Sequence, residues 1–133
     1  MEIGVWKEAG RDEHRVALTP NGARRLVEEG HRVFVQKDAG LDSRFPDREY
    51  VDAGAEIVYR REELIRRSGV LLGVGAPTLA DTEYFEPGHV LFGFLHLAVA
   101  PKELVSRLIE RKVTAIGFET IEEADGRGPS FAR

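Results

Sequence analysis

The chain has 133 residues, of which 42% are hydrophobic and 32% charged, and a formal net charge of −4. That length suits one domain with a real core and is too short for two ordinary ones. The acidic balance argues against a nucleic-acid partner, and the lack of cysteine excludes disulfides and thiolate metal sites and fits a reducing cytoplasm. No apolar stretch reaches membrane-spanning length, and the chain starts directly in a strand-like run, so neither membrane insertion nor a signal peptide is expected.

The first strand is expected at residues 2–6. In Arg15-Val16-Ala17-Leu18, Val16 and Leu18 alternate like a half-buried strand. A helix follows: Thr19 can cap it, Pro20 fits its first position, and Gly30 can end it in a left-handed turn. Ala23, Leu26 and Val27 share its apolar face. A second strand is expected at 32–36, a short helix at 48–53, and a small extra strand at 56–58. The helix at 61–67 carries the basic pairs Arg60-Arg61 and Arg66-Arg67, which read as a solvated face. Further strands are expected at 70–74, 90–94 and 114–118, with helices at 79–85 and 101–112. In the last helix Leu104, Val105, Leu108 and Ile109 form one stripe, and Arg111 and Lys112 complement its C-terminal dipole.

Several of these strands are continuously apolar, as strands covered on both faces are. Alternating β and α elements imply a mostly parallel sheet with helices on both faces. Five main strands in one small domain suggest a flavodoxin-like, doubly wound α/β sheet in the order 2-1-3-4-5. The first and third main strands then flank the switch point, where ligands bind beyond the carboxyl ends. Three loops should converge there, at 7–16, 75–78 and 95–100, carrying Arg15, Gly75 and His96.

His96 lies in Phe94-Leu95-His96-Leu97-Ala98, past a buried strand. An imidazole in that position suits proton transfer, because it titrates near neutral pH. The competing reading is a structural histidine bonded to backbone. The four histidines, at 14, 31, 89 and 96, lack metal-ligand spacing, so no metal is expected. A guanidinium at Arg15 suits bidentate carboxylate binding; alternatively it forms a surface ion pair with Glu8, Asp12 or Glu13. Glu13, Glu119 and Asp125 are further acids near strand ends, with nothing to fix a catalytic separation between them. The run Gly73-Val74-Gly75-Ala76-Pro77-Thr78 is not a dinucleotide fingerprint. Its third glycine is missing, Pro77 sits where a helix should open, and no acid follows the next strand. Its glycines point instead to a tight strand exit with close backbone approach.

Six stretches, in order over nearly the whole chain, carry a resemblance. They are Ile3-Gly4-Val5-Trp6-Lys7-Glu8, Arg15-Val16-Ala17-Leu18-Thr19-Pro20, Gly30-His31-Arg32-Val33, Asp52-Ala53-Gly54-Ala55, Phe94-Leu95-His96-Leu97-Ala98 and Phe118-Glu119-Thr120. Together they resemble the N-terminal, substrate-side domain of the alanine dehydrogenase and NAD(P) transhydrogenase (alpha subunit) family. The resemblance implies that Arg15 binds a substrate carboxylate and that His96 bonds the substrate oxygen and acts in proton transfer. It also implies NAD(H) or NADP(H) for the complete enzyme, with none bound by this domain alone, and a homo-oligomer in the cytoplasm. The expected partners are a small 2-oxo or amino acid carboxylate and an NAD-binding domain or subunit, with no nucleic acid or membrane.

Two departures qualify this. The family's enzymes usually carry Lys-Val-Lys-Glu-Pro after the third main strand, where this chain has Gly73-Val74-Gly75-Ala76-Pro77. Ala76-Pro77 is closer to transhydrogenase alpha chains, whereas His96-Leu97-Ala98 is closer to the dehydrogenases. The NAD-binding Rossmann domain expected next is absent from residues 1–133, read here as a single domain. Two functions follow as expectations. One is the substrate-side domain of such an oxidoreductase, inactive until an NAD-binding domain closes over it. The alternative is a stand-alone, non-catalytic module that binds a small carboxylate or a partner.

Overall fold

Six short strands lie side by side, all parallel, in a computed structural model that describes residues 1–10, 13–93 and 101–117. They are β1 (Glu2–Val5), β2 (Arg32–Gln36), β3 (Glu56–Val58), β4 (Val70–Gly73), β5 (Val90–Gly93) and β6 (Thr114–Gly117). Their order in the sheet is β3-β2-β1-β4-β5-β6. The five main strands therefore take the expected 2-1-3-4-5 order. The short run at 56–58 joins at the edge, with Val35 opposite Ile57. In the centre Val5 stands opposite Val35 on one side and Leu72 on the other.

Alternating strand side chains feed two cores, one on each face. On one face Phe34, Leu71 and Leu91 pack with Trp6, with Leu64 and Ile65 of α3 (Arg61–Arg67), and with Leu104 and Leu108 of α4 (Lys102–Glu110). On the other, Val5, Val33 and Val35 pack with Ala23 of α1 (Pro20–Glu28) and Tyr50 of α2 (Asp47–Asp52). Each fully buried side chain of this kind contributes about 1.5–3 kcal/mol of burial free energy. The α/β doubly wound architecture with helices on both faces is thus the observed one.

Local chemistry sets the boundaries. The Thr19 hydroxyl accepts the Gly22 N–H at 3.1 Å, Pro20 opens α1, and Gly30 turns at φ 97° behind it. Pro101 caps α4 rather than starting it. Arg111 and Lys112 fall beyond the last turn, with Lys112 in the left-handed region at φ 58°. The segment expected as a helix at 79–85 is a 3₁₀ turn over Ala80–Tyr84. The stretch around Arg15 to Leu18 is not a strand; it is a bend over Ala17 and Leu18. Among the described residues no helix is long and apolar enough to cross a membrane.

From β1 the chain winds outward through β2 to β3, then returns to the far side of β1 and winds outward again through β4, β5 and β6. The reversal lies between β1 and β4, so a crevice is expected beyond the carboxyl ends of those two strands.

Candidate functional site

Two segments leave the sheet at the switch point, Lys7 onward from β1 and Val74 onward from β4, and one carboxylate joins them. Glu8 Oε2 accepts the Val74 N–H at 2.9 Å and Oε1 accepts the Gly75 N–H at 2.8 Å. Glu8 is half-buried. Burial pushes its carboxyl above the ordinary carboxylate range, opposed by the two backbone bonds and the Arg61 charge, while the Glu13 charge adds to the rise.

Glycine is required around this junction by contact. A Cβ at Gly73 would come within 2.6 Å of the Trp6 indole, and one at Gly93 would meet the Gly73 carbonyl oxygen at 1.7 Å. The close approach expected at Gly73 is therefore real, but its nearest neighbour is an indole. Among the described residues, chain neighbours aside, a Cβ at Gly75 would meet only Glu8 Oε1, at 3.3 Å.

Below the junction, Arg61 ties three elements together. Its Nε and Nη2 donate to the two Asp81 oxygens at 2.7 and 2.8 Å, and its Nη1 donates to the Lys7 carbonyl oxygen. Its guanidinium lies 4.6 Å from the centre of the buried Trp6 ring. Asp81 also accepts the Thr78 N–H at 2.8 Å, while Thr78 Oγ1 accepts the Asp81 N–H at 3.2 Å. Arg61 was expected on a solvated face, but its side chain is only 20% exposed and that of Asp81 is 5% exposed. The pairing with a buried acid overrides the basic-run pattern. Arg67 departs in the same way, with its guanidinium 4.4 Å from the Phe34 ring centre.

The loop carrying Arg15 is pinned at both ends. Ser43 Oγ donates to the His14 carbonyl oxygen at 2.7 Å, and the Tyr50 hydroxyl donates to that of Leu18 at 2.8 Å. Between them, Arg15 meets Glu13: Nε to Oε1 at 2.8 Å and Nη2 to Oε2 at 3.0 Å, with the Arg15 N–H also on Oε1 at 2.9 Å. Arg15 holds the Glu13 carboxyl down at about 2. Of the three acids weighed as its partners, Glu13 is bonded to it, and Asp12 lies outside the described residues. The Arg15 side chain is 71% exposed. The Glu13 carboxylate paired with Arg15 also raises the Glu8 carboxyl through its charge. His96, Glu119, Asp125 and the whole third loop at 95–100 lie outside the described residues.

The backbone donors that a Gly-rich phosphate cradle would supply here, at Val74 and Gly75, are held by the Glu8 carboxylate, and a 3₁₀ turn stands in place of a helix. The described junction therefore does not fit a dinucleotide pyrophosphate. The reading of 73–78 as something other than a nucleotide fingerprint agrees with this geometry. Sequence reasoning missed Glu8 as a junction and Arg61 with Asp81 as a buried pair. One signal was present: Thr78-Leu79-Ala80-Asp81 has the spacing of a capping box, which places an acid back over the strand exit.

Residues 4–132 match a family described as the alanine dehydrogenase/PNT N-terminal domain. The chain is 42% identical over 125 residues to an alanine dehydrogenase of Methanococcus maripaludis, covering 94% of this chain and 33% of that protein. A solved L-alanine dehydrogenase superposes with a TM-score of 0.87 at 40% identity, over 95% of this chain and 34% of that one. A transhydrogenase from Sinorhizobium meliloti superposes with a TM-score of 0.84 at 26% identity, over 92% of this chain and 36% of that one. The chain thus spans about a third of the length of the relatives it matches.

Proposed function

Because the chain belongs to the alanine dehydrogenase/PNT N-terminal domain family, we propose that it is the substrate-side domain of an oxidoreductase of that kind. Arg15 receives the carboxylate of a small 2-oxo or amino acid, and His96 bonds the substrate oxygen and moves the proton. The nicotinamide dinucleotide belongs to parts of the complete protein beyond these residues, since the β4 exit of this domain does not suit it. Hydride transfer needs donor and acceptor held in near-attack contact, so turnover requires that second part to close over the rim. The cytoplasm and a homo-oligomer are the setting this reading implies.

What supports this most is the guanidinium of Arg15, whose side chain is 71% exposed in the loop that follows β1, in a chain whose relatives are alanine dehydrogenases. The test is calorimetric titration of the chain with pyruvate. A guanidinium fork on a carboxylate contributes about 1.5–3 kcal/mol, so Arg15→Ala should weaken binding about tenfold or more. Arg15→Lys should rescue only part, because an ammonium lacks the planar fork. The isolated chain should show no NAD-dependent oxidation of alanine. Equal pyruvate affinity in wild type and Arg15→Ala would refute the assignment of Arg15. NAD-dependent turnover by the pure chain, lost in His96→Ala, would refute the need for a second part.

A further inference from the structure

Glu8 has a structural task in joining the two strand exits, but that task leaves capacity unused. Each carboxylate oxygen accepts one backbone N–H and keeps a second lone-pair direction. Among the described residues, chain neighbours aside, a Cβ built on Gly75 would meet nothing but Oε1 within 4 Å. No Lys, Arg or His among the described residues is in ion-pair contact with Glu8. Arg61 acts on it only at longer range, being bonded to Asp81 and the Lys7 carbonyl oxygen and stacked over Trp6.

We propose that Glu8 is a specificity-determining residue, whose carboxylate receives a cationic group of the ligand in the space left by Gly75. The inference rests on the reading of this rim as a small-carboxylate site. It adds a second anchor of opposite sign, so that a ligand bearing an ammonium beside its carboxylate is favoured over its 2-oxo counterpart. Desolvation makes the Glu8 anion costly, and an arriving ammonium relieves that cost while bonding to it directly. A purely structural Glu8 would affect both ligand classes alike, because the junction it holds serves both.

L-Alanine and pyruvate differ at the carbon next to the carboxylate, so the ratio of their affinities for the chain, measured by calorimetry, reads this contact. Glu8→Gln keeps an acceptor for one of the two N–H groups and removes the charge. Alanine affinity should fall about tenfold, as for loss of one charge-assisted hydrogen bond, with pyruvate affinity within twofold of wild type. Gly75→Lys is the second variant. It leaves the junction's acceptor in place and offers Glu8 an ammonium from the chain, so alanine should again lose affinity relative to pyruvate. A ratio unchanged in both variants, or an equal fall for both ligands, overturns the proposal.

Amide resonances of Val74 and Gly75 give an independent readout. Methylammonium alone should shift them in the wild-type chain and not in Glu8→Gln. Should carboxylate binding prove independent of Arg15, the small-carboxylate reading fails, and this titration then decides for Glu8 separately. Absence of the shift in the wild type overturns the cation site.

Discussion

Glu13 is expected to compete with ligand for Arg15, and Glu13→Gln measures that competition. In the structure the Glu13 carboxylate covers the Nε and Nη2 edge of the guanidinium, at 2.8 and 3.0 Å. This is the same edge-on, two-bond arrangement that a ligand carboxylate adopts with arginine. A ligand approaching that edge must first displace Glu13. The Arg15 side chain is 71% exposed and that of Glu13 22%, so the pair belongs with solvent-exposed ion pairs, worth about 0.2–1 kcal/mol. Removing the Glu13 charge should therefore tighten pyruvate binding about 1.5- to 5-fold. Calorimetry at neutral pH and fixed ionic strength reads this directly, and added salt should shrink the difference. The gain should vanish in an Arg15→Ala background, because it acts through that side chain. Weaker pyruvate binding in Glu13→Gln would show that Glu13 orients Arg15 for the ligand rather than blocking it.

The same pair has a pH signature. Glu13 is held at about 2 in the folded chain, below the ordinary 4.5. The stability it confers is thus fully present above about pH 4.5 and is lost as pH falls toward 2. Exposure of Arg15 keeps that contribution small.

Two further outcomes concern the scaffold. Tyr50→Phe removes the bond that pins the Leu18 carbonyl and with it the Arg15 loop, and should cost about 1–3 kcal/mol in chemical denaturation. Burial, then the Glu49 and Asp47 charges, push the Tyr50 hydroxyl up to about 12, from 10.0. Its protonated form is favoured in the fold, so the stability gap between wild type and Tyr50→Phe should be full below pH 10 and close as pH rises toward 12; a constant gap would refute the assignment. Gly93→Ala places a methyl against the Gly73 carbonyl oxygen and should cost about 1–3 kcal/mol; a thermal midpoint equal to wild type would show that the β4 and β5 exits part easily.

Much of the fold was legible because the relevant signals are local. Thr19, Pro20 and Gly30 bound α1 through capping, a fixed φ and a left-handed turn, all of which depend on neighbours in sequence. The all-apolar run Val33-Phe34-Val35 reads as a strand buried on both faces, and its residues do divide between the two cores. Where expectation and structure part, a tertiary contact decides. Val16 and Leu18 alternate as a strand would, yet the Leu18 carbonyl oxygen accepts the Tyr50 hydroxyl from 32 residues away, and among the described residues no strand pairs with this stretch. The helix expected at 79–85 tightens to a 3₁₀ turn in which Asp81 folds back to Thr78 and Arg61.

The site was legible only in part, and for a similar reason. Arg15 stands out locally as a cation in a loop beyond the first strand, and Gly73 and Gly75 as a constricted strand exit. What could not be read is that Glu8 and Gly75, 67 residues apart, share a hydrogen bond. Nor does the sequence show that Arg61, in a basic run typical of solvated helices, is drawn inward by Asp81. These are consequences of strand order. Placing β4 beside β1 brings the acid after one against the bare backbone of the other. Gly75 brings no side chain of its own to that acid. Under the proposed reading, a glycine at that position changes the chemistry of the crevice by leaving Glu8 to meet the cationic group of a ligand.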